Sequence, residues 1–311
     1  MTRVAAIDCG TNSIRLLIAD VPRRGPLVEV ARHMEVVRLG QGVDRTGMLD
    51  PAALERTLDA ARRYAEICRE HDVETTRFVA TSATRDAGNR HAFVDGMRKI
   101  LGVEPEVISG QEEAALSYAG AASVIGPEQP RPLLVVDIGG GSTEFVLGDD
   151  VPSAGVSVKM GSVRLTERHL RGDPPSGKQV KAARKDIREL IDEVAAEIPL
   201  EDVRTIVGVA GSVTTVTAHA LGLAEYDRTR IDGAELTPQA VAASCDALLH
   251  ATKAERAAMG FMHPGRVDVI GAGALIWSEI IAFVSRATGG VPVVQTSEHD
   301  ILDGIALSLR P

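Results

Sequence analysis

The chain has 311 residues, 44% hydrophobic and 25% charged, with a formal net charge of −9. That length and composition suit a globular protein of two domains of about 100–200 residues each. The acidic balance weighs against a general nucleic-acid binder, which would show a basic face, and no apolar run reaches the ~18–20 residues that cross a bilayer. Three scattered cysteines, Cys9, Cys68 and Cys245, argue against a disulfide framework or a zinc site. The chain enters a strand-like segment with no basic and apolar leader, so a reduced, cytoplasmic protein without membrane association is expected.

Strand and helix patterns alternate, which predicts an α/β protein. Strands are expected near 4–8, 14–21, 27–38, 77–81 and 104–108. Asp50-Pro51 opens an amphipathic helix to about residue 70. Asn89 is expected to cap a helix to about 101, and Ser109 another, with Glu112 at the capping-box position. IGPEQPRP, 125–132, is the candidate linker, giving domains over 1–128 and 129–297 with a terminal helix, about 298–311, packing back on the first. Strands follow near 133–137, 143–148 and 154–159, then helices near 161–170 and 178–197. The latter alternates in charge and reads as a solvated face. A strand near 204–210, helices at 212–221, 238–249, 252–259 and 265–287, and a strand near 291–294 complete the chain.

The stretch VVDIGGGSTEFVLGD, 135–149, carries the first chemistry. Three glycines are poor strand material, but a glycine hairpin tip can bring amides and hydroxyls to a phosphate. Asp137 and Glu144 stand at the hairpin base, where two carboxylates facing a polyanion call for a hard cation such as Mg²⁺. AAIDCGTNSIRLLIAD, 5–20, repeats the pattern: Asp8 matches Asp137, Gly10 matches Gly139, Ser13 matches Ser142 and Asp20 matches Asp149, each pair 129 positions apart. Such a repeat indicates duplicated domains rather than a solenoid. It fails informatively at Arg15, which stands where Glu144 stands in the second copy, so one hairpin offers a cation and the other an anion.

VAGSVTTVTA, 209–218, sets Gly211 and Ser212 at a helix start, either a phosphate cradle or an ordinary strand-to-helix turn. FVATSATRDAGN, 78–89, ends a buried strand at Arg85, which either forks a phosphate or serves as surface charge. In ISGQEEAAL, 108–116, Glu113 follows the capping Glu112. It is either a partly buried general base or a charge complementing the helix dipole. The eight histidines show no metal-ligand spacing, and neither a GxSxG nor a P-loop motif occurs.

Taken in order, DCGTNSIRLLIAD, RLGQGVDRTGMLD, ATSATRDAGN, ISGQEEAALS, DIGGGSTEF, MGSVRLTE, GVAGSVTTVTA and SEHDILDG resemble the exopolyphosphatase / guanosine pentaphosphate phosphohydrolase (Ppx/GppA) family, over residues 4 to about 308. The resemblance implies two ribonuclease-H-like α/β domains of the actin-like ATPase superfamily with a cleft between them. It also implies Mg²⁺-dependent removal of the terminal phosphate from inorganic polyphosphate, or of the 5′ γ-phosphate from guanosine pentaphosphate, Mn²⁺ being the substitute metal. Carried over motif by motif, Glu113 would activate water, Asp137 and Glu144 would hold the metal with Asp8 close by, and Asn12, Ser13, Arg15, Arg85, Gly139, Gly140, Gly141, Ser142, Thr143, Gly211 and Ser212 would surround the phosphates. Two departures stand out: Ala115 replaces an Arg common after the EEA motif, and Gly211-Ser212 replaces the usual GT. The chain stops where longer relatives append helical domains, so a short form, less processive on long polymer, is expected, together with a homodimer. A small-molecule kinase and a non-catalytic polyphosphate or alarmone-binding regulator are the competing readings.

Overall fold

Two apolar runs on either side of Gly10 fold against each other at once. In the computed structural model, which describes residues 1–290 and 293–311, β1 (Thr2–Cys9) and β2 (Ser13–Val21) pair antiparallel, and β3 (Val28–Val36) extends the meander. The chain divides into one unit of Met1–Val124 with Asp300–Pro311 and a second of Ile125–His299.

After the meander come α1 (Val43–Thr46), α2 (Pro51–Glu70), β4 (Thr75–Ala80), α3 (Ser82–Asp86), α4 (Arg90–Leu101), β5 (Glu106–Val107) and α5 (Gly110–Ala122). The sheet order is β3-β2-β1-β4-β5, with β4 parallel to β1 and β5 parallel to β4. Helix α2 buries Ala53, Thr57, Ala60, Ala61 and Tyr64, a helical-period stripe, and the Tyr64 hydroxyl donates to the Ile14 carbonyl at 3.0 Å. Asp50 caps α2 by accepting from the Ala53 amide. Two expected caps behave differently. Asn89 stands at the N-cap position of α4, but its side chain pairs with both backbone groups of Leu49. Ser109 does cap α5, whereas the Glu112 carboxylate leaves the helix start for Arg77 at 2.7 Å.

The second unit holds β6 (Leu133–Ile138), β7 (Thr143–Gly148), β8 (Pro152–Val158), α6 (Ser162–Arg168), α7 (Gly177–Glu197), β9 (Thr205–Val209), α8 (Ala210–Ala220), α9 (Arg228–Ile231), β10 (Glu235–Leu236), α10 (Pro238–His250), α11 (Lys253–Ala257), α12 (Ile270–Ala287) and β11 (Val293–Thr296). Of the strand expected near 291–294, residues 291 and 292 lie outside the described residues. The sheet reads β8-β7-β6-β9-β11-β10, with β9 parallel to both β6 and β11. An antiparallel meander continued by parallel strands therefore occurs in both units, the ribonuclease-H-like arrangement expected. The helix expected over 265–287 starts only at Ile270. Pro264–Arg266 forms a 3₁₀ turn in which His263 accepts from the Gly265 amide. Helix α12 is long and apolar enough to cross a membrane by length and composition, contrary to the reading of the sequence. Its apolar residues, Trp277 among them, lie in the core of the second unit, as a buried helix requires.

The last helix, α13 (Ile301–Leu307), belongs to the first unit and packs on α5 and β1. It starts later than expected because Asp300 caps it, accepting from the Leu302 amide. Two glycines permit the crossing. A side chain at Gly304 would overlap the Leu116 carbonyl, and one at Gly120 the Asp300 carbonyl. Gly304→Ala is expected to cost about 1–3 kcal/mol through overpacking. Urea unfolding should show a lowered midpoint, while Gly177→Ala, where a side chain meets nothing within 4 Å, should leave it unchanged or raised.

Candidate active site

The glycine tip between β6 and β7 is held by its carbonyls. The segment that follows β8 supplies the donors. Gly139 O accepts from the Ser162 amide at 3.0 Å, Gly140 O from Val163 and Arg164 at 2.9 and 3.1 Å, and Gly141 O from Arg164 Nε at 2.7 Å. One bond closes the tip on itself, Gly139 N to Ser142 O at 3.0 Å. With the carbonyls taken by that segment, the amides of Gly140 and Gly141 donate to no backbone carbonyl among the described residues, an arrangement suited to an anion. Residue 161 must be glycine here, because a side chain would run into the Gly140–Gly141 peptide. Thr143 supplies backbone rather than a hydroxyl to this tip, since its Oγ1 donates to the Met160 carbonyl.

The first unit repeats the closing bond, and there too the segment after the third strand takes the tip carbonyls, though at different positions. Gly10 N bonds Ser13 O at 3.0 Å, Thr11 O accepts from Gly40, and Asn12 O accepts from Val37 and Arg38, all in the segment following β3. Thr11 Oγ1, Asn12 Oδ1 and Thr84 Oγ1 are buried there without a partner, and buried polar groups of this kind call for a ligand or water.

Below the tips the two hairpins differ. Asp137 is directly opposite Glu144 in the β6–β7 ladder, so the two buried carboxylates leave one face of the sheet with Cβ atoms about 5 Å apart. Ser157 donates to Glu144 Oε1 at 2.7 Å, which helps to orient it. Mg²⁺ is typically held by one or two carboxylates, with phosphate oxygens and water completing the octahedron. This pair fits that mode. No group of three His, Cys, Asp or Glu in metal-binding geometry occurs among the described residues. At the same register in the first unit Asp8 opposes Arg15, which donates to Asp8 Oδ2 at 3.0 and 2.8 Å and also to Asp300. Burial pushes the Asp8 carboxyl up and Arg15 opposes that shift. Arg15, expected beside a phosphate, therefore also neutralises carboxylates of its own unit.

Glu113 is buried in the first turn of α5, and Arg85 of α3 reaches it: Nη1 donates to Glu113 Oε2 at 2.9 Å and to the Ile108 carbonyl at 3.0 Å. Two motifs with separate expectations thus form one ion pair. A buried carboxylate held in a fixed direction is suited to take a proton from water.

In the second unit, α8 opens at Ala210, whose φ of 67° is an uncommon left-handed conformation for a residue with a side chain, and Gly211 and Ser212 follow in its first turn. Strain of this kind concentrates at ligand sites. The Arg266 guanidinium lies over Gly211, where any side chain would displace it, and its Nη1 is 3.5 Å from Thr215 Oγ1. Gly273 of α12 packs against Ser212. Arg266 belongs to no motif, and the fold alone brings it to the Gly-Ser turn. It adds the positive charge that an acidic chain needs beside a phosphate.

His219 and His263 are both depressed by burial, His263 also by Arg266. A depressed folded pKa adds stability above the unfolded value of about 6.5, lost as pH falls through the folded one. Melting temperature is therefore expected to drop between about pH 7.5 and 5.5, with a smaller drop in His219→Gln. An identical drop in that variant would exclude His219 as a source.

Two α/β units, each with a hairpin tip whose carbonyls are taken by the segment after its third strand, and one with two buried carboxylates facing each other on the hairpin, narrow the protein to a small class of duplicated α/β folds. Comparison with known proteins then specifies the family. The Ppx/GppA phosphatase family model matches residues 17–306, and the chain belongs to that family. It is 48% identical to a Mycobacterium tuberculosis protein named Exopolyphosphatase 2, over 99% of both chains. A crystal structure described as an exopolyphosphatase-like protein superposes with a TM-score of 0.96 at 49% identity, covering 99% of this chain and 97% of that one. An Aquifex aeolicus member of the family superposes at 0.80 with 30% identity, covering 99% and 97%.

Proposed function

We propose that the protein is an exopolyphosphatase that hydrolyses the terminal phosphoanhydride of inorganic polyphosphate. The observation that carries this reading is the pair of Gly140 and Gly141 amides at the tip of the hairpin that carries Asp137 and Glu144, a donor set for phosphate oxygens beside an acceptor set for a cation. The full-length similarity to a protein named Exopolyphosphatase 2 supports the choice of polymer.

In this reading the amides of Gly140 and Gly141, the Ser212 turn and Arg266 hold phosphate oxygens, and Asn12 and Ser13 are further phosphate-binding candidates. Asp137 and Glu144 hold Mg²⁺, which when bound offsets phosphate charge. Glu113 takes the proton of a water whose oxygen attacks the terminal phosphorus in line. The bond from phosphorus to the bridging oxygen breaks, releasing orthophosphate and a chain one unit shorter. Arg85 positions Glu113. Phosphoryl transfer of this kind needs chiefly placement and charge stabilisation, and backbone amides fixed by the fold supply both without reorganising.

Glu113→Gln is expected to lower kcat for polyphosphate by about 10²–10⁴-fold with the fold retained. Asp137→Asn is expected to raise the Mg²⁺ concentration for half-maximal rate by at least about tenfold. Phosphate release from polyphosphate, guanosine pentaphosphate and ATP, measured side by side, checks both. Preferential use of guanosine pentaphosphate would move the assignment to the other activity named in the family. Transfer from ATP to a metabolite, or full activity in Glu113→Gln, would sink the mechanism.

A further inference from the structure

Helix α7 looks evenly charged in sequence, but its charges separate once it is coiled. At 3.6 residues per turn, Lys178, Lys181, Arg184, Lys185 and Arg188 fall within an arc of about 120° that extends ~15 Å along the helix. Val180, Ala183, Ile187, Ile191 and Val194 face the core. Like charges three and four positions apart repel, so the arc costs the fold stability. Only part of it is compensated. Buried Glu279 of α12 accepts from Arg184 Nε at 2.7 Å and from Arg188 Nε at 2.6 Å, and Lys185 lies 3.4 Å from Glu189. Among the described residues no carboxylate comes within 4.0 Å of Lys178 or Lys181. Glu189 at the edge of the arc and Asp192, one turn beyond Arg188, close the stripe at its C-terminal end.

We propose that this stripe is a distal grip for the polyphosphate chain, an inference that rests on the exopolyphosphatase reading. The stripe is one helix wide, which matches a single thin polyanion. A duplex would bring a broad negative surface against a protein of net charge −9. Lysines suit such a ligand because point charges on flexible stems hold a repeating anion without fixing its register. The stripe is also tied to the phosphate site. Helix α12 touches Ser212 at Gly273, and Glu279, which holds Arg184 and Arg188, is six residues or ~9 Å further along that helix. The stripe is thus displaced from the Gly-Ser turn along that helix, and the grip as proposed acts on long chains and not on triphosphate.

The test measures binding and turnover separately with Lys178→Ala/Lys181→Ala/Lys185→Ala, which leaves the Glu279 pairs intact. In a Glu113→Gln background that slows turnover, the triple variant should bind long-chain polyphosphate about tenfold more weakly at low salt, the difference fading at high salt. The corresponding Lys→Arg triple should restore binding. In the active enzyme the ratio of kcat/KM for long chain to that for triphosphate should fall. Unchanged long-chain affinity would overturn the grip, as would loss of duplex DNA binding with polyphosphate binding intact. Weakened binding in a protein whose wild type releases no phosphate would keep the grip and sink the hydrolase reading.

Discussion

The structure depends on where the carbonyls of a hairpin tip point. A peptide plane that turns its oxygen one way turns its N–H the other. In both units the chain after the third strand returns to take those oxygens: Ser162, Val163 and Arg164 in the second, Val37, Arg38 and Gly40 in the first. The N–H groups of Gly140 and Gly141 are thereby turned away from those bonds, fixed by the fold before any ligand arrives. This accounts for a glycine triplet inside a sheet. It also accounts for the glycine at 161, since a side chain there would push the tip out of position.

Duplication followed by divergence at one register position gives the two hairpins different chemistry. The Asp8–Arg15 pair neutralises itself and, through Asp300, ties the C-terminal helix of its unit to the hairpin. Two carboxylates stand at the same position of the second hairpin, the pair proposed above to hold a cation. An acidic net charge is compatible with the proposed polyanion site, because potential is set locally, here by backbone amides and by Arg266 over Gly211.

Much of this was legible in the sequence because it depends on local rules. The continuous apolar runs around Gly10 and Gly139 give the hairpins, and the common spacing of 129 gives the duplication. What was missed depends on long-range packing. Asn89 has the identity of a cap, but the loop at Leu49 offers both of its backbone groups and takes the side chain. Glu112 fits a capping box until Arg77 from β4 competes for it. The ion pair of Arg85 with Glu113 joins two motifs whose separate readings were each ambiguous, and Arg266 carries no local signature at all. On α7 the charges alternate in sequence and segregate only on the helix surface. The short helices α1, α3 and α9, four or five residues each, lie below what a period can reveal.

The most direct test is a crystal structure of Glu113→Gln with triphosphate and Mn²⁺, the anomalous signal locating the metal. The account predicts Mn²⁺ on the Asp137 and Glu144 carboxylates and phosphate oxygens within hydrogen-bond distance of the Gly140 and Gly141 amides. Triphosphate bound elsewhere, with those amides facing solvent and no metal on the two carboxylates, would contradict it.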